Sequence, residues 1–141
     1  DKVPDGALVA VHDGVRPLVT PQLVRDMFEK AETVQSLVPV IPCTDTLKVL
    51  QKEGEELKTV EGVVADRSML YAAQTPQIFH SEMLKSAYSL AYDTMFTDDA
   101  SVMQKYGKSL SYMIGERLNI KITTQEDLLL AEAVMSLRSK S

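Results

Sequence analysis

Apolar residues in this chain come in short blocks, and the spacing inside each block predicts an element. Ala7-Leu8-Val9-Ala10-Val11-His12 is a nearly continuous apolar run that reads as a buried parallel strand. The polar turn Asp13-Gly14-Val15-Arg16-Pro17 follows. Thr20 then suits a helix N-cap with Pro21 at the first helical position. Leu23, Val24, Met27, Phe28 and Ala31 recur on one face, which predicts a helix to about Val34. Leu37-Val38-Pro39-Val40-Ile41-Pro42 is a second apolar strand, and its two prolines predict a place near an edge or end. Strand, helix and strand in this order form a βαβ unit and predict a largely parallel α/β sheet.

Residues 46–64 break that rhythm. Thr46-Leu47-Lys48-Val49-Leu50 and Leu57-Lys58-Thr59-Val60 alternate with period two around the charged stretch 51–56, which predicts a β-hairpin with an exposed tip. Such a hairpin buries little by itself. It reads equally as a solvated excursion or as an arm that packs on a second subunit. The chain re-enters the domain through 69–79. A helix is predicted from about Ser81 to Tyr92, with Met83, Leu84, Ala87, Tyr88 and Ala91 inward. Thr97-Asp98-Asp99-Ala100-Ser101 predicts a short capped helix. Strands are expected at 109–114 and 119–122. Thr124-Gln125-Glu126-Asp127 resembles a capping box and starts a last amphipathic helix to about Leu137.

The 141 residues suffice for one domain with a real core, and 45% hydrophobic with 25% charged residues is ordinary for a soluble globular protein. The net charge of −5 argues against broad nucleic-acid or anionic-membrane binding. No apolar run is long enough for a membrane helix or a signal core, so a cytoplasmic location is expected. Cys43 is alone, which excludes an internal disulfide, and no flanking cation activates its thiol. With two histidines and one cysteine, no His-rich metal site can be built. The six glycines never cluster, so there is no loop of the GxGxxG or GxxxxGK[ST] kind to cradle a triphosphate. The first residue is not Met and a central strand begins within a few residues. The chain is therefore expected to be part of something longer.

Candidate chemistry sits beside the elements. Asp13 and Arg16 follow the first strand, at the sheet edge where open α/β folds bind ligands. An Asp there can hold a sugar hydroxyl or a metal, and the forked donors of Arg suit a phosphate. His12 ends the same strand and reads equally as a satisfied, half-buried histidine or as a catalytic one. Arg67, Thr75, Thr97 and Lys121 each have an ordinary structural reading as ion pair, turn, helix cap or solvent-facing strand residue. Their interest is that all can converge on one phosphorylated small molecule. The stretch Ala65 to Gln77, with its lone Arg, hydroxyls and two Gln amides around a short apolar run, suits recognition of an oxygen-rich ligand better than it suits a core.

Taken in order, Val11-His12-Asp13-Gly14-Val15-Arg16-Pro17, Pro42-Cys43-Thr44-Asp45-Thr46-Leu47-Lys48, Asp66-Arg67-Ser68-Met69-Leu70, Ala73-Gln74-Thr75-Pro76-Gln77-Ile78-Phe79, Thr97-Asp98-Asp99-Ala100-Ser101 and Asn119-Ile120-Lys121-Ile122-Thr123 resemble the 2-C-methyl-D-erythritol 4-phosphate cytidylyltransferases of non-mevalonate isoprenoid biosynthesis. The resemblance runs from about Ala7 to Val134. It implies a Rossmann-like nucleotidyltransferase sheet and a homodimer locked by protruding arms, here the hairpin at 46–64. It also implies cytidylyl transfer from CTP to methylerythritol phosphate, with a divalent ion, usually Mg²⁺, bridging the triphosphate. Under that resemblance Asp13 and Arg16 hold the methylerythritol part, and Thr46 and Arg67 reach across the dimer to the substrate phosphate. Thr97, Lys121 and Thr123 complete the pocket, Lys121 offsetting phosphate charge, and Thr75 supports the wall. Gly14-Val15 replaces an alanine pair common in the family, a departure that touches spacing rather than chemistry. The family's glycine-rich CTP loop belongs to an N-terminal segment not present in these residues. The expectation is the C-terminal part of one nucleotidyltransferase domain, which by itself does not turn over CTP. Two other readings stay open: a ribitol or ribulose 5-phosphate cytidylyltransferase, and a non-catalytic dimerisation module.

Overall fold

A computed structural model describes residues 2–90 and 109–140. Its elements in order are β1 (Leu8–Val11), α1 (Pro21–Ala31), β2 (Ser36–Pro42), β3 (Leu50–Glu53), β4 (Glu56–Thr59), a single 3₁₀ turn (Arg67–Met69), β5 (Tyr71–Ala73), β6 (Gln77–His80), α2 (Ser81–Leu90), β7 (Ser111–Ile114) and α3 (Gln125–Ser139). The helix expected at 97–101 lies outside the described residues.

The sheet is mixed rather than largely parallel. β6 inserts between β1 and β2 and runs antiparallel to both, with Val11 opposite Gln77 and Leu37 opposite Ile78. The βαβ reading had the directions of β1 and β2 right, because two strands that both oppose β6 run the same way. It missed the strand between them, which arrives from beyond the hairpin and so leaves no local signal. β7 joins β2 in parallel on its other side, Pro39 facing Met113, and β5 pairs antiparallel with the end of β2.

β2 is therefore the interior of the sheet, not its edge. Pro39 is tolerated there because its carbonyl accepts Gln74 N–H at 2.8 Å, so its missing N–H faces the same side, where Gln74-Thr75-Pro76 leaves the ladder between β5 and β6. The Thr75–Pro76 bond in that kink is cis.

Helices cover both faces. α1 begins as expected, with Thr20 Oγ1 accepting Leu23 N–H, but stops at Ala31. It lays Leu23, Met27 and Ala31 against Leu37 and Ile78. On the opposite face α2 packs Ala87, Met83 and Leu84 on Val38 and Phe79. Tyr88, expected inward, is exposed. Phe79 is fully buried and contributes about 2–3 kcal/mol of apolar burial. α3 starts on a complete capping box between Thr124 and Asp127 and packs Ala131 and Val134 on Leu18, Ile120 and Ile122.

The hairpin forms, with its strands displaced from the expected spans. Leu50 pairs with Thr59 and Glu53 with Glu56, so the turn is Gly54-Glu55. Gly54 has φ +63, the backbone a two-residue turn needs and a side chain resists. Every residue of β3 and β4 is exposed. Residues 119–122 form no strand: Ile122 N–H donates to Val15 O at 2.8 Å, which pins this segment to the turn after β1 instead of to a strand partner.

Candidate active site

Because β1, β2 and β7 run in one direction, the segments that follow them leave the sheet at one edge, where open α/β sheets bind ligands. The loops 12–17 and 115–123 emerge there, beside the kink 74–76 that leads into β6. Further along, β2 and β5 extend together to Pro42 and Tyr71 and lead into the hairpin region.

Asp13 and Arg16 form one unit. Arg16 Nε donates to Asp13 Oδ2 at 3.1 Å and its backbone N–H to Asp13 O at 3.0 Å. Arg16 Nη1 donates to Asn119 O at 2.7 Å. The Arg16 side chain is only 12% exposed and the Asp13 side chain 37%, so the guanidinium is a largely covered strut and the carboxylate is the more open of the two. Thr75 enters from the kink: its Oγ1 accepts Asp13 N–H at 2.9 Å and lies 2.9 Å from His12 Nδ1. Of the residues expected at the site, Asp13, Arg16 and Thr75 are thus in direct contact. Thr75 spends its hydroxyl on its neighbours, in keeping with a supporting part.

Lys121 and Thr123 flank Ile122, whose N–H bond to Val15 brings both beside the Asp13–Arg16 turn. Lys121 is exposed and makes no hydrogen bond or ion pair among the described residues. Thr123 is occupied locally. Its N–H and hydroxyl both donate to Asp127 Oδ2 at 3.0 Å. These bonds, the Thr123 N–H first and its hydroxyl second, hold the Asp127 carboxyl below the usual carboxylate range, with Thr124 adding to them.

Thr46 and Arg67 are not gathered with this group. Both are exposed, and among the described residues the Arg67 side chain reaches back only to Thr44 O at 3.2 Å. Asp66 caps the short turn that carries Arg67. The Ser68 hydroxyl, and then the Ser68 N–H, keep the Asp66 carboxyl below its usual range. Thr97 lies outside the described residues.

The support beneath the site was not legible in the sequence. Gln74 and Asn119 are buried amides. Gln74 Nε2 donates to Glu116 O at 2.8 Å and its Oε1 accepts Glu116 N–H at 3.2 Å. Asn119 Nδ2 donates to Thr75 O at 2.8 Å. Glu116 in turn accepts Thr20 N–H at 3.1 Å and the Thr20 hydroxyl at 2.6 Å. Gly115 allows this, since a Cβ there would lie 2.5 Å from Gln74 Oε1. Two Gln amides beside an apolar run were the one available signal, and Glu116 gave none.

The arrangement offers a partly exposed carboxylate and a nearby ammonium, with two further candidate groups on the projecting arm. No group of three His, Cys, Asp or Glu among the described residues is placed to hold a metal ion. No helix among them is long and apolar enough to cross a membrane.

Known proteins resemble the chain along nearly its whole length. The family model for IspD, 2-C-methyl-D-erythritol 4-phosphate cytidylyltransferase, matches residues 2–137. A protein of that description from Phocaeicola vulgatus is 41% identical over 128 residues, covering 91% of this chain and 55% of the relative. One from Porphyromonas gingivalis is 41% identical over 135 residues, covering 95% and 58%. The crystal structure of the Thermus thermophilus cytidylyltransferase superposes with a TM-score of 0.78 at 37% identity, covering 90% of this chain and 61% of that one. The Francisella tularensis structure gives the same TM-score at 28% identity, over 94% and 61%. The chain thus spans little more than half the length of these curated relatives. On the match to residues 2–137 and these identities, the chain belongs to the 2-C-methyl-D-erythritol 4-phosphate cytidylyltransferase family.

Proposed function

We propose that this chain is the C-terminal part of a cytidylyltransferase domain, and that the protein carrying it transfers a cytidylyl group from CTP to 2-C-methyl-D-erythritol 4-phosphate. A phosphate oxygen of the sugar alcohol attacks the α-phosphorus of CTP. The bond from that phosphorus to the β-phosphate bridging oxygen breaks, and pyrophosphate leaves with the electron pair. Products are CDP-methylerythritol and pyrophosphate. The observation that carries the reading is the Asp13–Arg16–Thr75 contact, which joins residues from two separate family motifs at the ligand-binding edge of the sheet.

In this reading Asp13 takes a hydroxyl of the substrate while Arg16 holds Asp13 in place. Lys121 balances phosphate charge, and Thr123 and Thr97 close the pocket. Such a transfer needs positioning and charge neutralisation more than a protein nucleophile, in keeping with the groups at the edge. Thr46 and Arg67, exposed on the arm, serve the substrate phosphate of a partner subunit in a homodimer. The exposed hairpin supports that assignment, because two isolated strands are marginal without a second surface. Mg²⁺, which neutralises the triphosphate when bound, would be carried by the CTP phosphates. Asp13, a lone carboxylate engaged by Arg16, is not a metal cage. A cytoplasmic location fits a reaction on soluble phosphates.

The test is pyrophosphate release by the complete protein with CTP, Mg²⁺ and either methylerythritol 4-phosphate or ribitol 5-phosphate. Faster turnover of the methylerythritol compound is expected. Preference for ribitol 5-phosphate moves the assignment to that class, and a folded dimer with no turnover of either moves it to a non-catalytic module.

A further inference from the structure

His12 is exposed, yet both of its ring nitrogens are spent on the chain rather than on water. Nε2 lies 2.9 Å from Arg16 O. A carbonyl only accepts, so Nε2 carries the hydrogen, and Nδ1 of the neutral ring is then an acceptor. The Thr75 hydroxyl, 2.9 Å away, must donate to it. With its hydrogen turned to His12, Thr75 Oγ1 has its lone pairs toward Asp13 N–H, which it accepts at 2.9 Å. Arg16 closes the ring through its backbone and side-chain bonds to Asp13. Each donor in the circuit therefore has one acceptor, and the direction of every hydrogen follows from the Arg16 carbonyl.

We propose that His12 is a positioning residue, which fixes the hydroxyl of Thr75 and the carbonyl of Arg16 and thereby sets the place of the Asp13 carboxylate. It touches no reacting atom. Its effect is felt at the sugar-alcohol end of the site and not at CTP, and this expectation rests on the cytidylyltransferase reading above. Core packing does not account for it, because the ring is on the surface.

Steady-state kinetics on the complete protein test this. His12→Ala removes both bonds and is expected to raise KM for methylerythritol 4-phosphate about tenfold, with KM for CTP within about twofold of wild type. His12→Asn keeps an oxygen near the Nδ1 position to accept from Thr75 and is expected to recover part of the loss. An unchanged KM for the sugar phosphate, or an equal rise for both substrates, overturns the proposal. A second measurement stands apart from turnover: long-range ¹H–¹⁵N spectra of the imidazole in this chain. The Nε2–H tautomer is expected in the wild type and, because the Arg16 carbonyl remains, in Thr75→Val as well, where the Nδ1 resonance should shift on losing the hydroxyl that donates to it. A predominant Nδ1–H form in the wild type, or spectra indifferent to Thr75→Val, overturns the proposal. If the wild-type protein turns over neither sugar phosphate, the reading of function fails, and His12 is judged on these spectra alone.

Discussion

The hydroxyl oxygen of Thr75 accepts the backbone N–H of Asp13 at 2.9 Å, across 62 residues of sequence. That single contact makes the His12-to-Pro17 turn and the Gln74-to-Gln77 kink one structure. Thr75→Val keeps the shape and removes the acceptor, leaving a part-buried N–H unpaired. The expected cost is about 1–3 kcal/mol in urea denaturation and about tenfold in kcat/KM of the complete protein. Thr75→Ser, which restores the oxygen, should recover both, and failure to do so would show that the methyl group and not the hydroxyl matters.

Among the described residues the Arg67 side chain makes one hydrogen bond, to Thr44 O, from an exposed arm. Arg67→Ala should therefore leave folding and assembly unchanged by sedimentation while lowering turnover of the complete protein by about 100-fold, a loss in the range seen for a charge-assisted contact to a phosphate. Near-normal turnover removes Arg67 from the proposed site.

Gly115 is adjacent to a buried amide that cannot move cheaply. A Cβ would lie 2.5 Å from Gln74 Oε1 and 3.2 Å from Pro39 Cβ. Shifting Gln74 would break its bonds to Glu116, so Gly115→Ala should destabilise the chain by about 1–3 kcal/mol, which a urea titration detects. Gly14, with open space where its Cβ would lie, is the control: Gly14→Ala should be within about 0.5 kcal/mol of wild type.

Asp127 carries a pH signature. Its folded carboxyl titrates below the ordinary value of 3.8, chiefly because Thr123 donates to it. A carboxylate depressed by folding supplies stability that is fully present above its unfolded pKa and is lost as pH falls through the folded one. Thermal unfolding from about pH 6 to about pH 3 should therefore show the wild type losing Tm faster than Asp127→Asn, with the difference confined to pH below about 4. Parallel curves would remove Asp127 as a contributor.

The elements with local causes were legible: the Thr20 cap, the Thr124 to Asp127 box and the apolar runs that became β1 and β2. What could not be read was pairing between distant segments. β6 between β1 and β2 needs knowledge of a strand far downstream, and Pro39 in the interior of the sheet needs the kink at Gln74 to remove the demand for its N–H. Asn119-Ile120-Lys121-Ile122 alternates like a strand, but the backbone bond from Ile122 goes to a turn. Asp13, Arg16 and Thr75 stood out in the sequence, and the structure brings them into contact. Glu116, which supports them from beneath, belongs to no motif, and Asn119 opens one without its residue type showing that it braces Thr75 and Arg16.

The ties that assemble the edge span great lengths of chain: Asp13 to Thr75, and Arg16 to Asn119 across 103 residues. Non-local contacts form only after the loop entropy between them has been overcome, so they come late in folding. During synthesis, the turn at Asp13 and Arg16 leaves the ribosome long before either partner exists. The geometry of this edge should consequently appear all at once, after Asn119 has emerged, and not grow with chain length.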